Sequence, residues 1–295
     1  MDIRELRYFL AVVREQNITK AAEVLHITQP TLSRQMSQLE QELGTQLFVR
    51  GRVLTLTDAG ILLRRRAEEV VDLMDKVQGE FAEPEDISGL ISIGSGGLAS
   101  SEILTQAMRL FYKQYPRVRF DVYTNSAEFI KERMDKGILD FGLLLEPVEI
   151  EKYEYIRLPD KEKWGIFMNR SHPLAHQSVI TREDLKGEPL ITTSRSSIQK
   201  ELAEWFGNSF SRLHIIATYN IITNIASYIN TGEACALTLE GAVGMFDQSK
   251  YVFCPLDPPL EMTSVLAWKK FQPGFSAAGH FLEFVKSMPE MNRSI

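Results

Sequence analysis

The sequence predicts two domains of different class: a small all-α N-terminal domain with a β-hairpin, and a larger two-lobed α/β domain, joined by one long helix. Three observations carry this prediction. Up to about residue 81 the apolar residues recur at helical spacing, whereas beyond residue 90 short apolar runs alternate with helical segments. A length of 295 residues accommodates two domains with sizeable cores. The composition, 44% apolar and 24% charged, is that of a globular chain rather than a disordered one.

Charge and cysteine usage narrow the functional classes. The net charge is −6, yet residues 1–66 hold 10 Lys/Arg against 7 Asp/Glu while the remainder holds 23 against 32. The basic surplus therefore sits at the N-terminus, and a nucleic-acid footprint is local rather than global. No run approaches the roughly 18 apolar residues that span a bilayer. The N-terminus, with Asp2, Arg4, Glu5 and Arg7, lacks the apolar stretch of a signal peptide. A cytoplasmic protein with no membrane partner is expected. Cys235 and Cys254 each lie beside apolar residues, which favours buried thiols over a disulfide framework or a zinc site. Redox sensing by the pair is the alternative.

From Arg4 to Glu15, the spacing of Leu6, Phe9, Leu10 and Val13 predicts an amphipathic helix. Thr19 is expected to cap a short helix through Leu25, in which Ala21 and Ala22 are small enough to let another helix approach. His26 and Ile27 form a turn. Thr28 is placed to cap a third helix, with Pro30 in the first turn and Gly44 at the end. On that helix Leu32, Met36, Leu39 and Leu43 form a buried stripe. The opposite face presents Gln29, Thr31, Ser33, Arg34, Ser37 and Gln38, side chains able to bond base edges and phosphates. An ordinary solvated face is the plainer alternative. Val49-Arg50-Gly51-Arg52 then opens a small hairpin running to Thr57 with cations at its tip, a wing suited to a narrow minor groove.

Leu6-Arg7-Tyr8-Phe9, the Ala21-Ala22 pair, Thr28 through Gln35, Leu39 through Gly44, Leu47-Phe48 and Leu56 through Gly60 fall in order over some sixty residues. Together they resemble the signature of LysR-type transcription regulators. The resemblance implies a winged helix-turn-helix over residues 1–60, with DNA contacts from Gln29, Pro30, Ser33, Arg34, Arg50 and Arg52. The stretch between Phe48 and Leu56 is a residue shorter than is common in the family, which bears on Arg52.

Thr57 is placed to cap a helix from Asp58 to about Phe81, stopped by Pro84. Leu63, Ala67, Val70, Met74, Val77 and Phe81 recur at heptad spacing. A helix of about 36 Å is longer than the small domain needs. A partner copy of the same helix is the expected cover, and the family uses this segment, residues 58–83, as a dimerisation arm. Arg64, Arg65 and Arg66 sit where the helix dipole disfavours cations, and DNA phosphates would compensate them. Residues 84–89 have the composition of a hinge.

Beyond the hinge, Leu90–Ile93, Glu102–Tyr112, Val118–Thr124, Phe129–Asp135 and Phe141–Leu145 give the βαβαβ order of a parallel sheet. A second set runs from the strand Trp164–Met168 through Leu190–Thr193, a helix near Gln199–Phe206, Ile215–Tyr219, a helix Ile222–Ile229, Cys235–Leu239 and Val252–Cys254. The strand Met262–Trp268 and the helix Ala277–Met288 return to the first lobe. One lobe is thus expected at about 90–160 and 262–295, and the other at about 161–261.

Tyr115 through Val118, Gly137 through Gly142, Ser171 through Ala175 and Asn230 through Ala234 extend the resemblance to the family's effector-binding domain. That domain shares the type II fold of periplasmic solute-binding proteins. It implies a small-molecule effector, its identity unspecified, and no cofactor. Ser95, Gly97, Ser100 and Ser101 at a helix start are expected to hold an anionic group of the effector. Thr124 and Asn125 end the next strand, and the resemblance implies that Thr192, Thr193 and Ser196 lie across the cleft, with Ile222 and Thr223 near its floor. Ordinary helix capping is the alternative for these hydroxyls. Glu240 stands where many relatives have proline and would favour an amine-bearing ligand.

Gly94-Ser95-Gly96-Gly97-Leu98-Ala99 also fits a looser dinucleotide fingerprint, with Asp121 some twenty residues on. An enzyme of that kind leaves the N-terminal signature unexplained, as does a free-standing solute-binding protein. His172 and His176 are four apart, but Pro173 between them argues against a helix that would pair them on a metal. No nucleophile elbow is present, so no catalytic residue is expected. The expected assembly is a homodimer, or a tetramer of dimers, on an interrupted palindrome in double-stranded DNA. Effector-driven lobe closure would alter contact with the promoter or with RNA polymerase.

Overall fold

A computed structural model describes residues 1–49, 54–80, 87–270 and 276–291. The chain divides into two compact units, Met1–Phe81 and Ala82–Ile295. In the first, α1 (Ile3–Glu15) opens on a capping box: Asp2 accepts from the Glu5 N–H, and the Glu5 carboxylate accepts from the Asp2 N–H. Helix α2 (Ile18–Val24) is capped by Asn17, not by Thr19 as expected. The chain leaves α1 through Gln16 in the left-handed region, so Asn17 is already extended and its Oδ1 reaches the N–H groups of Thr19 and Lys20. Helix α3 (Gln29–Leu43) starts after an extended Thr28, whose hydroxyl bonds the Thr31 hydroxyl at 2.7 Å instead of capping the backbone. It ends at Gly44 with φ 67°, a conformation glycine adopts freely.

Leu6, Phe9, Val12, Ala21, Ala22, Leu32, Met36, Leu39, Leu47 and Phe48 close one core between these helices and the hairpin β1 (Phe48–Val49) and β2 (Thr55–Leu56). The tip of that hairpin, with Arg50 and Arg52, lies outside the described residues. Glu40 ties α3 to the hairpin by accepting from the N–H groups of Leu47 and Phe48. Helix α4 (Asp58–Glu80) begins at Thr57, whose hydroxyl accepts from the Gly60 N–H.

The apolar stripe of α4 divides between two environments. Ala67 and Val71 are buried in the core of their own unit, with Leu63 packed beside them against α1. Leu62, Val70, Leu73, Met74 and Val77 are 38–59% exposed. The heptad assignment of Leu63 and Ala67 to a partner helix is thereby corrected. A straight helix repeats at 3.6 rather than 3.5 residues, so the row through 63, 67 and 71 turns toward the small domain. Phe81 lies outside the described residues.

In the second unit β3 (Gly89–Ser95), α5 (Ser101–Gln114), β4 (Val118–Thr124), α6 (Ala127–Asp135) and β5 (Phe141–Leu145) form a parallel β4-β3-β5 sheet. β6 (Tyr153–Asn169) is one strand of 17 residues where only Trp164–Met168 was expected. Its first part is rich in charged residues and carries Pro159, which hides it from the apolar pattern. Proline is tolerated because the register shifts there: Arg157 faces Val265 and Lys161 faces Thr263.

Then follow β7 (Ile180–Thr181), β8 (Pro189–Thr193), α7 (Ser196–Phe206), β9 (His214–Tyr219), α8 (Ala226–Ile229), β10 (Cys235–Leu239), α9 (Glu240–Val243), β11 (Tyr251–Asp257), β12 (Glu261–Lys269) and α10 (Ala277–Ser287). The helix expected over Ile222–Ile229 is a 3-10 turn, Ile222–Ile225, followed by the single turn of α8. The sheet order is β4-β3-β5-β12-β6-β10-β8-β9, with β11 also on β6. Up to Lys163, β6 pairs with β12; from Trp164 it pairs with β10 and β11. The lobes therefore share β6, and the chain returns between Asp257 and Glu261. α10 packs on β3 and α5, where Phe281 meets Phe111, Phe120 and Phe141 edge-on.

Where β6 changes partners, Glu162 is fully buried. Its carboxylate accepts from the N–H groups of Ala99 and Ser100 at 2.8 and 3.0 Å and from the Ser100 hydroxyl. Ser100 spends its one hydroxyl proton on Glu162 and so accepts from Ser264. On the same stretch presses Gly241 of α9, where a Cβ would stand 2.0 Å from the Ala99 nitrogen.

Two outcomes test this junction. All three tryptophans, Trp164, Trp205 and Trp268, lie in the second unit, so their fluorescence reports its unfolding alone. In urea, Gly241→Ala is expected to lose about 3 kcal/mol of stability by overpacking. Glu162→Gln is expected to lose about 2 kcal/mol, because its amide nitrogen turns a donor toward donors.

Candidate DNA-binding and effector sites

On α3, Leu32, Met36 and Leu39 face the core, which fixes the opposite face outward, while Leu43, expected on the same buried stripe, is exposed because it is the last residue of the helix. Gln29, Pro30, Thr31, Arg34 and Gln38 are exposed, and Ser33 and Ser37 are half-buried beside them. Polar side chains thus line the N-terminal two-thirds of the helix, at its positive end, with Pro30 lacking an N–H in the first turn. Thr31 is partly engaged by Thr28. At the start of α4, two of three expected phosphate-seeking arginines find partners on their own helix. Arg64 pairs with Glu68 and Arg66 with Glu69, each at 3.0 Å. Neutralisation at i+4 and i+3 answers the helix dipole without DNA.

Between the lobes of the second unit lies a cavity of about 610 Å³. One wall is formed by residues 96–98, 124–130 and 143–145, the other by Trp164, residues 193–196, Ile198, residues 219–223, Thr238, Leu239 and Ala242. Of the expected effector residues, Gly97, Thr124, Asn125, Thr193, Ser196, Ile222 and Thr223 line it. Most of the remaining lining is aliphatic or aromatic, with hydroxyls and amides at the strand ends, the pattern of a small-molecule pocket.

Ser95, Ser100, Ser101, Thr192 and Glu240 do not line this cavity, and each has a physical reason. The anion-binding start of α5 is filled from within: Glu162 takes the amides of Ala99 and Ser100. The next two, Ser101 and Glu102, bond the carbonyls of Leu98 and Ala99. Ser100 is committed to Glu162 and Ser264, while Ser95 is buried and donates to the Gly96 carbonyl, 3.3 Å from the Ser101 hydroxyl. Strand alternation turns Thr192 away from the wall that Thr193 lines. Glu240 borders a separate concavity of about 270 Å³ with Phe167, Arg170, Phe246 and Tyr251, so it selects nothing in the cleft.

The filled start of α5 also removes the dinucleotide alternative, because a pyrophosphate needs those amides. Gly94 serves packing instead: a Cβ there would meet Ile130 at 2.7 Å. The two thiols flank β6 from opposite sides, Cys254 on β11 and Cys235 on β10. Two strand spacings, about 9.5 Å, separate them, which precludes a disulfide. Burial pushes the Cys235 thiol up to about 12 and raises that of Cys254, so neither is a reactive thiolate. His172 is buried, its Nδ1 accepting from the Leu174 N–H and its Nε2 3.5 Å from Glu188. Burial lowers its pKa and holds it neutral. Among the described residues no group of three or more His, Cys, Asp or Glu is arranged for a metal. None of the described helices is long and apolar enough to cross a membrane.

Two charged cavity residues carry no sequence motif. Arg195, just before α7, donates from Nη1 to the Leu145 carbonyl at 3.1 Å and from Nη2 to the Pro147 carbonyl at 2.9 Å, both across the cleft. Its Nε lies 3.4 Å from a carboxylate oxygen of Glu128 on α6. The signal in the sequence was a cation at a helix N-terminus, where the dipole opposes it and a compensating partner must exist.

Known proteins agree with this arrangement. Residues 84–289 match the LysR substrate binding domain, and residues 3–61 match the bacterial regulatory helix-turn-helix protein of the lysR family. The chain is 31% identical to the HTH-type transcriptional regulator YvbU of Bacillus subtilis (strain 168), over 98% of this chain and 99% of that one. It is 30% identical to the Hca operon transcriptional activator HcaR of Escherichia coli (strain K12), over 92% of each. In fold it resembles the crystal structure of CbnR, a LysR family transcriptional regulator, with a TM-score of 0.73 at 20% identity, covering 97% of this chain and 98% of CbnR. CbnR bound to its target DNA matches with a TM-score of 0.71 at 21% identity, covering 97% and 99%. Its DNA-binding helix-turn-helix and effector-binding domain place this chain in the LysR family of bacterial transcription regulators.

Proposed function

We propose that this regulator reads its operator with the outer face of α3, through Gln29, Pro30, Ser33, Arg34, Ser37 and Gln38, with Thr31 on the flank. The supporting observation is the split of α3 into a core stripe and an exposed polar face at its positive end. Arg34 is the central residue because its planar fork can take a guanine edge or a phosphate bidentately. The hairpin tip with Arg50 and Arg52 supplies the minor-groove contact in this reading. Residues 1–60 act as the winged domain, 58–83 as the arm, 84–89 as the hinge and 90–295 as the sensor.

The exposed row Leu62, Val70, Leu73, Met74 and Val77 on α4 is the dimer seam, continuing toward Phe81. Five apolar side chains along one helix favour burial against a second copy. Two copies present paired α3 helices to an interrupted palindrome, and dimers of dimers extend the footprint. A small molecule in the 610 Å³ cavity biases lobe arrangement by its differential affinity for the two states, and through it promoter contact and RNA polymerase recruitment. The protein works by binding in the cytoplasm rather than by catalysis.

Fluorescence anisotropy on DNA from upstream of its own gene tests the first element. Arg34→Ala is expected to weaken operator binding by about 1–3 kcal/mol while leaving the melting temperature unchanged. Equal binding to operator and random DNA by both proteins counts against the assignment. For the arm, Leu73→Glu with Val77→Glu is expected to shift the sedimentation coefficient from dimer to monomer. An unchanged coefficient moves the seam elsewhere.

A further inference from the structure

Among the described residues, Arg195 and Glu128 are the charged side chains that line the cavity, and they are unequally placed. The Arg195 side chain is 13% exposed and the Glu128 side chain 59%. Guanidinium carries five donors, of which two go to the carbonyls of Leu145 and Pro147. Those acceptors are neutral. The Nε is buried and has no hydrogen-bond acceptor, for the 3.4 Å approach of Glu128 lacks bonding geometry. Water around Glu128 weakens its attraction further. The cavity wall thus holds a buried cation short of negative charge, a state that costs free energy until a desolvated anion joins it. Burial pulls the Arg195 pKa below its ordinary value, and Glu128 offsets that only in part.

Around this charge both walls supply apolar side chains, Leu143 and Leu145 from one and Trp164, Ile198, Ile222 and Leu239 from the other. Resting on the cleft as the effector site, we infer that the effector is a small monocarboxylate with an apolar body, its carboxylate taken by Arg195 in place of Glu128. A carboxylate matches the guanidinium fork, whereas an amine would meet the cation and an amide would leave it uncompensated. Glu128, already facing water, swings out. Arg195 is rooted in one lobe and bonded to two carbonyls of the other, so the carboxylate engages a side chain that already spans the cleft. The ligand is read by the same side chain that holds the cleft together.

Thermal shift on the full chain tests this with three matched sets at about 10 mM and constant ionic strength: hexanoate, hexanamide and hexylamine; benzoate, benzamide and benzylamine; indole-3-acetate, indole-3-acetamide and tryptamine. At least one acid is expected to raise the melting temperature by about 2 °C or more, with its amide and amine inert. Arg195→Gln is expected to weaken that acid about tenfold or more, Arg195→Lys to retain part of the response, and Glu128→Gln to bind it about threefold more tightly. The opposite signs at 195 and 128 separate recognition from loss of a structural ion pair, and the Lys and Glu128 variants decide the matter if Arg195→Gln does not fold. Amides or amines that stabilise as well as acids, a response indifferent to Arg195, or weaker binding in Glu128→Gln would overturn the carboxylate assignment and leave the cleft as receptor. Silence from all nine compounds would overturn the cleft reading with it.

Discussion

The carboxylate of Glu162 is the interaction on which the second unit is organised. It sits on the strand common to both lobes, at the point where that strand changes neighbours, and satisfies two amides at the start of α5. A carboxyl group with no exposure is tolerable only when hydrogen-bonded throughout, and three donors from Ala99 and Ser100 meet that demand. The consequence is positional. With the start of α5 pinned to β6, Leu98 and Ala99 lie against Gly241, backbone on backbone, and Gly97 lies against Ala242. The lobes are in contact at this end, and the cavity opens where β4, α6 and β5 face β8, β9 and the 3-10 turn after them.

Much of the first unit was legible because its elements are specified locally. Leu32, Met36 and Leu39 on α3, the Gly44 stop and the Thr57 start are patterns of neighbouring residues and stand as expected, whereas Leu43, at the last position of the helix, does not reach the core. Asn17 displaced Thr19 as a cap because the end of α1 decides where the chain first becomes extended. On α4 the reading failed for Leu63 and Ala67, since a heptad count cannot tell an outside partner from the core of the same domain. Half of β6 was invisible: its charged residues and Pro159 violate strand patterning and are tolerated only through pairing with β12 a hundred residues later.

The effector site divides along the same line. Thr124 and Asn125 were readable from the topology of an α/β sheet, whose clefts open at the carboxyl ends of strands, and Thr193 from the family resemblance. Ser100 was misread because an unfilled helix N-terminus and one filled by a distant glutamate look the same in sequence; Glu162 is 62 residues away. The hydroxyls drew attention as candidate ligand contacts, while Arg195, one residue from Ser196, supplies the charge.

The sharing of strands between lobes also sets an order of completion during synthesis. β12 lies between β5 and β6 in the sheet, and α10 covers β3 and α5, yet both come from the last 35 residues of the chain. Until they leave the ribosome, β5 presents an unpaired apolar edge and Phe111 lacks the Phe281 ring against which it packs. The winged unit, by contrast, is complete once residue 81 has emerged. Each nascent chain therefore passes through an interval in which a finished DNA-reading domain is tethered to an unfinished sensor with an open sheet edge, and chains cut short before β12 are left in that state.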